Sequence, residues 1–375
     1  MKPRIAKLTI EGFRAIRRVE IDSLGRVNLI TGRNNTGKSS VLEALRLLAS
    51  GASPGVLYSI LRFREEDDGD METSARPLRE EGLFQLSGLF HGFPQFSGEI
   101  EPIVISSRGG RVPLELSMKA VWIRELPDPE GILRPIPAKT LFGEDDSLPA
   151  LEVKDLSGNP RYLTRGSFRN LRYRLSEARL SLMEEPRLPC VFVSPYGGER
   201  TATLGSLWDK IALSDSEKAV VEALRIINPE ISAVSMVGGE SPRQQRRAIV
   251  RADGIPRPVP LRTFGDGLNR LFGIALSLVN AKDGLLLIDE FENGMHHTVQ
   301  TDVWRAIFRL AKDLDIQVVA TSHSWDSIEA FQKAASAAPD EGVLIRLTRK
   351  GPDIIPTLFR EEELAVATRD RIEVR

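Results

Sequence analysis

Cysteine is nearly absent. Cys190 is the only one in 375 residues, which excludes a disulfide within the chain and a cysteine-built zinc site. Histidine is almost as scarce (His91, His296, His297 and His323), so a protein-built transition-metal centre would have to lean on carboxylates. Aromatic residues make up only 6% of the chain, and 52 acidic against 51 basic residues leave a formal net charge of −1. Such a balance does not call for nucleic acid as a partner of the whole chain, so any contact with DNA would have to come from local basic patches. No apolar run is long enough for a membrane span, and Met1-Lys2-Pro3-Arg4 leads into a strand-like pattern rather than a secretory leader. The expected class is a soluble, cytoplasmic protein, its 41% hydrophobic residues sufficient for one large or two ordinary domains. Cys190, within Leu188-Pro189-Cys190-Val191-Phe192-Val193, reads as a strand position and not as a reactive thiol.

What is present is concentrated in a few short segments. Gly32-Arg33-Asn34-Asn35-Thr36-Gly37-Lys38-Ser39 has the form of a P-loop, in which backbone N–H groups cradle phosphate oxygens. Lys38 would neutralise the β- and γ-phosphates, and the Ser39 hydroxyl would complete a Mg²⁺ shell. The context agrees. Val27 to Thr31 reads as a strand, and Ser40 to Leu48 continues with apolar residues at helical spacing, so a helix N-terminus points at the phosphates.

Downstream, Leu285-Leu286-Leu287-Ile288 is a continuous apolar run of the kind expected for a parallel strand covered on both faces. Asp289-Glu290 follows it directly and reads as a Walker B pair. Asp289 would hold Mg²⁺, and Glu290 would orient and partly deprotonate the water that attacks the γ-phosphate. Val299, Val303, Ile307, Leu310 and Leu314 then recur at helical spacing, and Ile316 to Thr321 reads as the next strand. His323 ends that strand where an imidazole could meet a γ-phosphate, an ordinary core or surface histidine being the bland alternative. Thr263-Phe264-Gly265-Asp266-Gly267 opens a further helix, and its glycines could present free N–H groups to an anion or merely cap the helix.

Between these segments the pattern is less regular. Residues 96 to 156 alternate in short stretches and predict an antiparallel β lobe, while residues 166 to 184 read as helical and arginine-rich. The expected division is 1–50 for the N-terminal part of the ATPase domain, 51–187 for the β lobe and helical insertion, and 188–375 for the C-terminal part. The acidic run from Glu65 to Glu72 carries no chemistry beyond a solvated loop. Arg161, Arg165, Arg169 and Arg172 have spacings that would line one helix face, giving either a phosphate-backbone contact or a solvated helix paired with Glu177, Glu184 and Glu185. Arg243, Arg246, Arg247 and Arg251 form a second basic cluster of equally open meaning.

The order of P-loop, long insertion, glycine-bounded helix start, Leu-Leu-Leu-Ile-Asp-Glu, strand and His is similar to ABC-type ATPases of the SMC, RecF and OLD (overcoming lysogenization defect) group. The likeness covers roughly residues 4 to 50 and 188 to 335. Ile288-Asp289-Glu290-Phe291-Glu292-Asn293-Gly294-Met295-His296 and Thr321-Ser322-His323-Ser324-Trp325-Asp326 look most like stand-alone OLD-like ATP-binding proteins. The resemblance implies an ABC/SMC-like P-loop ATPase head: an α/β fold with a mixed sheet and flanking helices, plus the β lobe and helical insertion. It implies ATP and Mg²⁺ as ligands, with phosphate contacts from Gly32 to Ser40, and a homodimer in which Gly265, Asp266 and Gly267 cap the partner's ATP. Gly265 stands where the family's signature serine would be, which implies slow hydrolysis. The family's Q-loop glutamine would be Gln85 or Gln95.

OLD nucleases also carry a Toprim domain. Too little chain follows Phe331 for that fold, and Asp313-Leu314-Asp315, which has a Toprim-like Asp-x-Asp form, falls at a helix end instead. The expected role is therefore an ATPase that controls a DNA-directed process, in genome maintenance or anti-phage defence, with any nuclease supplied by a separate partner. A nucleotide-binding subunit of a membrane transporter, or a regulatory ATP switch with little hydrolysis, are the alternatives.

Overall fold

Buried parallel strands must be apolar on both faces, and the strands carrying the motifs show how those faces are shared. The computed structural model describes residues 2–64, 86–94, 100–127, 133–138, 147–164, 186–195, 201–238, 246–338 and 340–374. In chain order these form β1 (Lys7–Phe13), β2 (Ile16–Ile21), β3 (Val27–Thr31), α1 (Lys38–Ser50), α2 (Pro54–Phe63), β4 (Ile103–Arg108), β5 (Leu114–Pro127), β6 (Leu133–Pro137), β7 (Leu148–Asp155) and β8 (Arg161–Thr164). Then follow β9 (Cys190–Val193), α3 (Thr201–Asp209), α4 (Asp215–Leu224), β10 (Ile231–Val237), β11 (Arg247–Ala252), β12 (Val259–Pro260), α5 (Asp266–Asn280) and β13 (Leu285–Ile288). The last are α6 (His297–Asp313), β14 (Gln317–Thr321), α7 (Trp325–Ala335), β15 (Gly342–Lys350), β16 (Asp353–Phe359) and α8 (Glu361–Arg369).

A six-stranded mixed sheet runs in the order β16-β15-β3-β14-β13-β9. All its neighbours pair in parallel except β15 with β16. Successive side chains go to opposite faces. Val27, Leu29, Leu286, Ile288, Val318 and Ala320 therefore join one core with α5, α6 and α7, while Ile30, Leu285, Leu287 and Val319 join a second core with α1. This sharing makes Leu285-Leu286-Leu287-Ile288 apolar throughout, each side chain wholly buried and stabilising the fold by roughly 1.5–3 kcal/mol. Phe291, Trp304 and Phe331 close the first core, with Phe291 stacked on Trp304 at 4.0 Å between centroids.

The predicted β lobe is a seven-stranded antiparallel sheet ordered β2-β1-β4-β5-β7-β8, with β6 beside β5. The N-terminal hairpin is part of that sheet, since β1 pairs with β4 from Lys7↔Arg108 to Glu11↔Val104. α1 runs between the two sheets, which is why nine of its residues are buried. Glu43, charged inside that sandwich, is held by Arg14 at 2.6 Å and Arg64 at 2.9 Å. A third small sheet, β10-β11-β12, carries Arg247 and Arg251 of the second basic cluster, with Arg246 just before β11 and Arg243 outside the described residues. There Arg246 is bound by both carboxylate oxygens of Asp209, at 2.6 and 2.8 Å.

The arginine strip needs a correction. Arg161 opens strand β8 rather than a helix, because Arg161 to Thr164 pairs with β7 through Val153↔Arg161 and Ala150↔Thr164. Its guanidinium donates to the Gly51 carbonyl at the end of α1. Arg165, Arg169 and Arg172 lie outside the described residues, as do Gln85 and Gln95. Burial pushes the Cys190 thiol up to about 12, leaving it protonated at neutral pH. No helix among the described residues is long and apolar enough to cross a membrane.

Candidate nucleotide site

The strand order places β14 between β3 and β13, so three strand ends converge at one edge of the mixed sheet. β3 delivers the glycine loop, β13 delivers Asp289-Glu290, and β14 delivers Thr321 and, two residues on, His323. The carboxyl end of an open parallel sheet is the ligand-binding edge of such folds.

At Gly32 a side chain has no room: a Cβ would fall 2.5 Å from the Leu347 carbonyl oxygen and 2.7 Å from Thr36 Oγ1, and φ is 143°. Glycine lets the chain leave β3 and curl tightly. Thr36 Oγ1 donates to the Arg33 carbonyl at 2.8 Å, closing the loop on itself. Gly37, left-handed at φ 85°, then caps α1, so Lys38, Ser39 and Ser40 form the helix's first turn with its unsatisfied N–H groups. Arg33, Asn34 and Asn35 are exposed on the outer bend.

Lys38 Nζ donates to the Gly32 and Arg33 carbonyls at 2.6 and 2.9 Å. Burial holds its ammonium below the usual lysine range, and the nearby carboxylates of Asp289, Glu292 and Glu290 offset part of that effect. Ser39 Oγ donates to Asp289 Oδ1 at 3.2 Å, joining the two sequence-predicted motifs across 250 residues. Thr321 Oγ1 donates to the same oxygen at 2.6 Å and accepts the Glu290 N–H at 2.9 Å. Glu290 has a left-handed backbone at φ 48°, which turns the chain just past β13. Asn293 Nδ2 donates to Glu290 Oε2 at 2.5 Å and to the Pro195 carbonyl at 3.0 Å. His323 donates from its backbone N–H to Glu292 Oε1 at 2.9 Å, with ring Nδ1 at 3.1 Å from the same oxygen.

The helix start at Gly265-Asp266-Gly267 meets this constellation from the side of the loop after Glu290. A Cβ on Gly267 would stand 2.9 Å from the Gly294 carbonyl oxygen, whereas nothing lies within 4 Å of one built on Gly265. One turn further, Arg270 is buried; its Nη2 donates to the Asp289 and Glu290 carbonyls at 2.9 and 3.1 Å, and its Nη1 donates to the Ser194 carbonyl. Thr321, Arg270, Asn293 and Glu292 carry no site signal in the sequence. Thr321, Asn293 and Glu292 stand inside the motif segments and Arg270 three residues past one, but only their pairing across the sheet edge reveals what they hold.

The donor set suits a hard cation. The Ser39 hydroxyl and the Asp289 carboxylate, 3.2 Å apart, would hold a Mg²⁺ through oxygen, and the cation would supply charge to a bound phosphate. Among the described residues no three His, Cys, Asp or Glu side chains cluster as a metal cage.

Comparisons with known proteins follow the same lines. Residues 7–73 match a family described as an AAA domain, and residues 207–328 match one described as AAA domain, putative AbiEii toxin, Type IV TA system. Over 347 residues, 88% of each chain, the protein is 23% identical to an ATP/GTP phosphatase of Helicobacter pylori. A 47-residue stretch, 12% of this chain and 13% of the relative, is 43% identical to the DNA replication and repair protein RecF of Thioalkalivibrio sulfidiphilus. An SMC head bound to the C-winged helix domain of ScpA aligns with a TM-score of 0.48 at 14% identity, covering 96% of this chain and 99% of that one.

Proposed function

We propose that this chain, an SMC/RecF-like P-loop protein, binds ATP with Mg²⁺ and hydrolyses it to ADP and phosphate. The observation that carries the reading is the hydrogen-bonded set Ser39, Asp289 and Thr321, which couples the phosphate loop to the acid pair. A bound Mg²⁺ neutralises charge on the β- and γ-phosphates. Lys38 leaves the loop carbonyls to meet phosphate oxygens, and the first-turn N–H groups of α1 hold them. Glu290, tethered by Asn293, orients the attacking water and takes its proton. Arg270 keeps the backbone of both acids in place.

The wider role we infer is an ATP-gated homodimer, cytoplasmic, that controls a DNA-directed process in genome maintenance or anti-phage defence. A separate Toprim-type nuclease or other effector would act under it. The RecF-like stretch and the AAA-domain matches support this reading. The open space at Gly265 suits close approach of a second copy's phosphates.

Lys38→Ala should weaken nucleotide binding. Glu290→Gln should keep binding and lose kcat by about 100-fold or more, the range expected for removing a general base. Calorimetry and phosphate release measure the two effects separately, and a Glu290→Gln protein that turns over at the wild-type rate removes Glu290 from this role. With ATP and Mg²⁺ the same variant should shift to dimer in light scattering. A mass indifferent to nucleotide would refute ATP-gated assembly.

A further inference from the structure

Glu292 is a third acid at this site, and neither the motif reading nor the hydrolysis scheme uses it. Its side chain is only 10% exposed. Oε1 accepts the backbone N–H of His323 and lies 3.1 Å from its ring Nδ1, while Oε2 has no hydrogen-bond partner among the described residues. Burying a carboxylate on those terms is costly, so a role as a mere turn cap explains it poorly. The turn already has its own ties: Ser322 N–H donates to the Ile30 carbonyl at 3.0 Å, and Ser324 N–H to Ser322 Oγ at 3.1 Å. Through space Glu292 also acts on the Lys38 ammonium, which puts it at the phosphate loop.

A carboxylate oxygen accepts, so the ring nitrogen that faces it, Nδ1, is the one whose N–H it would take. The opposite nitrogen, Nε2, is then the ring's acceptor, on an imidazole that is half exposed. We propose that Glu292 is a positioning residue: it fixes the His323 ring with Nδ1 toward the carboxylate and Nε2 turned to the terminal phosphate. A proton taken up from solvent at Nε2 makes an imidazolium whose Nε2–H donates to a phosphate oxygen while its charge faces a carboxylate, the division of labour of an acid that orients a histidine. The proton of the attacking water still goes to Glu290. The role rests on the nucleotide-hydrolysis reading of the same site.

The ring can be read without nucleotide, which separates this proposal from that reading. In the full chain with ¹⁵N-labelled histidine, His323 (assigned against a His323→Gln spectrum) should show Nδ1–H in the wild type. Glu292→Ala should lose that preference. Its kcat should fall about 10- to 100-fold, the usual cost of removing an orienting partner. The KM for ATP should stay nearly unchanged, and Glu292→Ala with His323→Gln should be no slower than His323→Gln alone. An unaltered tautomer in Glu292→Ala, or additive losses in the double variant, overturns the proposal. Should Glu292→Ala fail to fold, Glu292→Gln carries the test, because it keeps an acceptor for Nδ1–H and removes the charge. It should hold the tautomer and still lose kcat, and wild-type turnover in that variant would sink the idea. Normal hydrolysis by Lys38→Ala and Glu290→Gln would instead sink the ATPase reading, leaving the ring measurement to stand by itself.

Discussion

Thr321 serves both acids with one buried hydroxyl: it donates to Asp289 Oδ1 and accepts from the Glu290 backbone. Thr321→Val keeps the shape and deletes both bonds, leaving a buried N–H unpaired at a cost of about 1–3 kcal/mol. Asp289 would still have Ser39 but would no longer be fixed from β14. The expected result is a folded protein that needs more Mg²⁺ for half-maximal hydrolysis, measured by titrating Mg²⁺ at saturating ATP. An unchanged Mg²⁺ requirement would mean that Thr321 supports the strand end alone. Thr321 is legible in the sequence only as a strand residue, because a hydroxyl at a strand end has many fates. The partner that decides among them comes from a strand 32 residues away.

At the scale of elements, the strand-loop-helix from β3 to α1 is readable residue by residue, and Gly32 shows why. The positions proposed to bind phosphate also make the turn, so one local pattern specifies both. A Cβ at Gly32 would press on the Leu347 carbonyl, which belongs to β15 and is held in register with Pro356 of β16, one residue past the Arg346↔Thr31 pair with β3. Gly32→Ala should therefore deform the loop and abolish the thermal shift on adding ATP and Mg²⁺, while far-UV circular dichroism stays close to wild type. ATP stabilisation equal to wild type would show that the loop tolerates the side chain. The arginine strip loses its first member, Arg161, for the opposite reason. Spacings of four, four and three fit a helix face, yet Arg161 is claimed by β7, a cross-strand partner that periodicity cannot see.

At the scale of the whole molecule, Asp315 ties distant parts of the chain together at the edge of the mixed sheet opposite the phosphate loop. Arg4 bonds it at 2.8 Å, Arg26 at 3.4 Å, and Arg111, from the turn between β4 and β5, through both nitrogens. These arginines, the Arg111 hydrogen bond foremost, hold its carboxyl down to about 2 from the ordinary 3.8. A lowered folded pKa contributes stability that is complete above the unfolded value and is lost as pH falls through the folded one. The window here runs from about pH 4 down to about pH 2, and the contribution is at most about 2 kcal/mol at neutral pH. Asp315→Asn should therefore lower urea stability at pH 7, and the gap to wild type should narrow as the solution is acidified through that window. A gap that stays constant with pH would mean that the loss comes from packing.

The residues proposed for phosphate, cation and water can be placed at the strand ends from the order of amino acids itself, because each is adjacent in sequence to the strand that carries it. Gly32 to Ser40, Asp289, Glu290 and His323 belong to that group. So does the two-faced burial of Leu285 to Ile288, since a strand covered on both sides can contain nothing but apolar residues. Tertiary structure alone decided the order β3-β14-β13, which brings the three strand ends together. It decided, too, that the N-terminal hairpin joins the β lobe, that Arg270 holds the backbone of the acid pair, and that Asp315, in an Asp-x-Asp that resembles a metal motif, is an arginine anchor. Each of these depends on which partner lies across a sheet or beyond a turn, tens to hundreds of residues away, and local spacing carries no record of that.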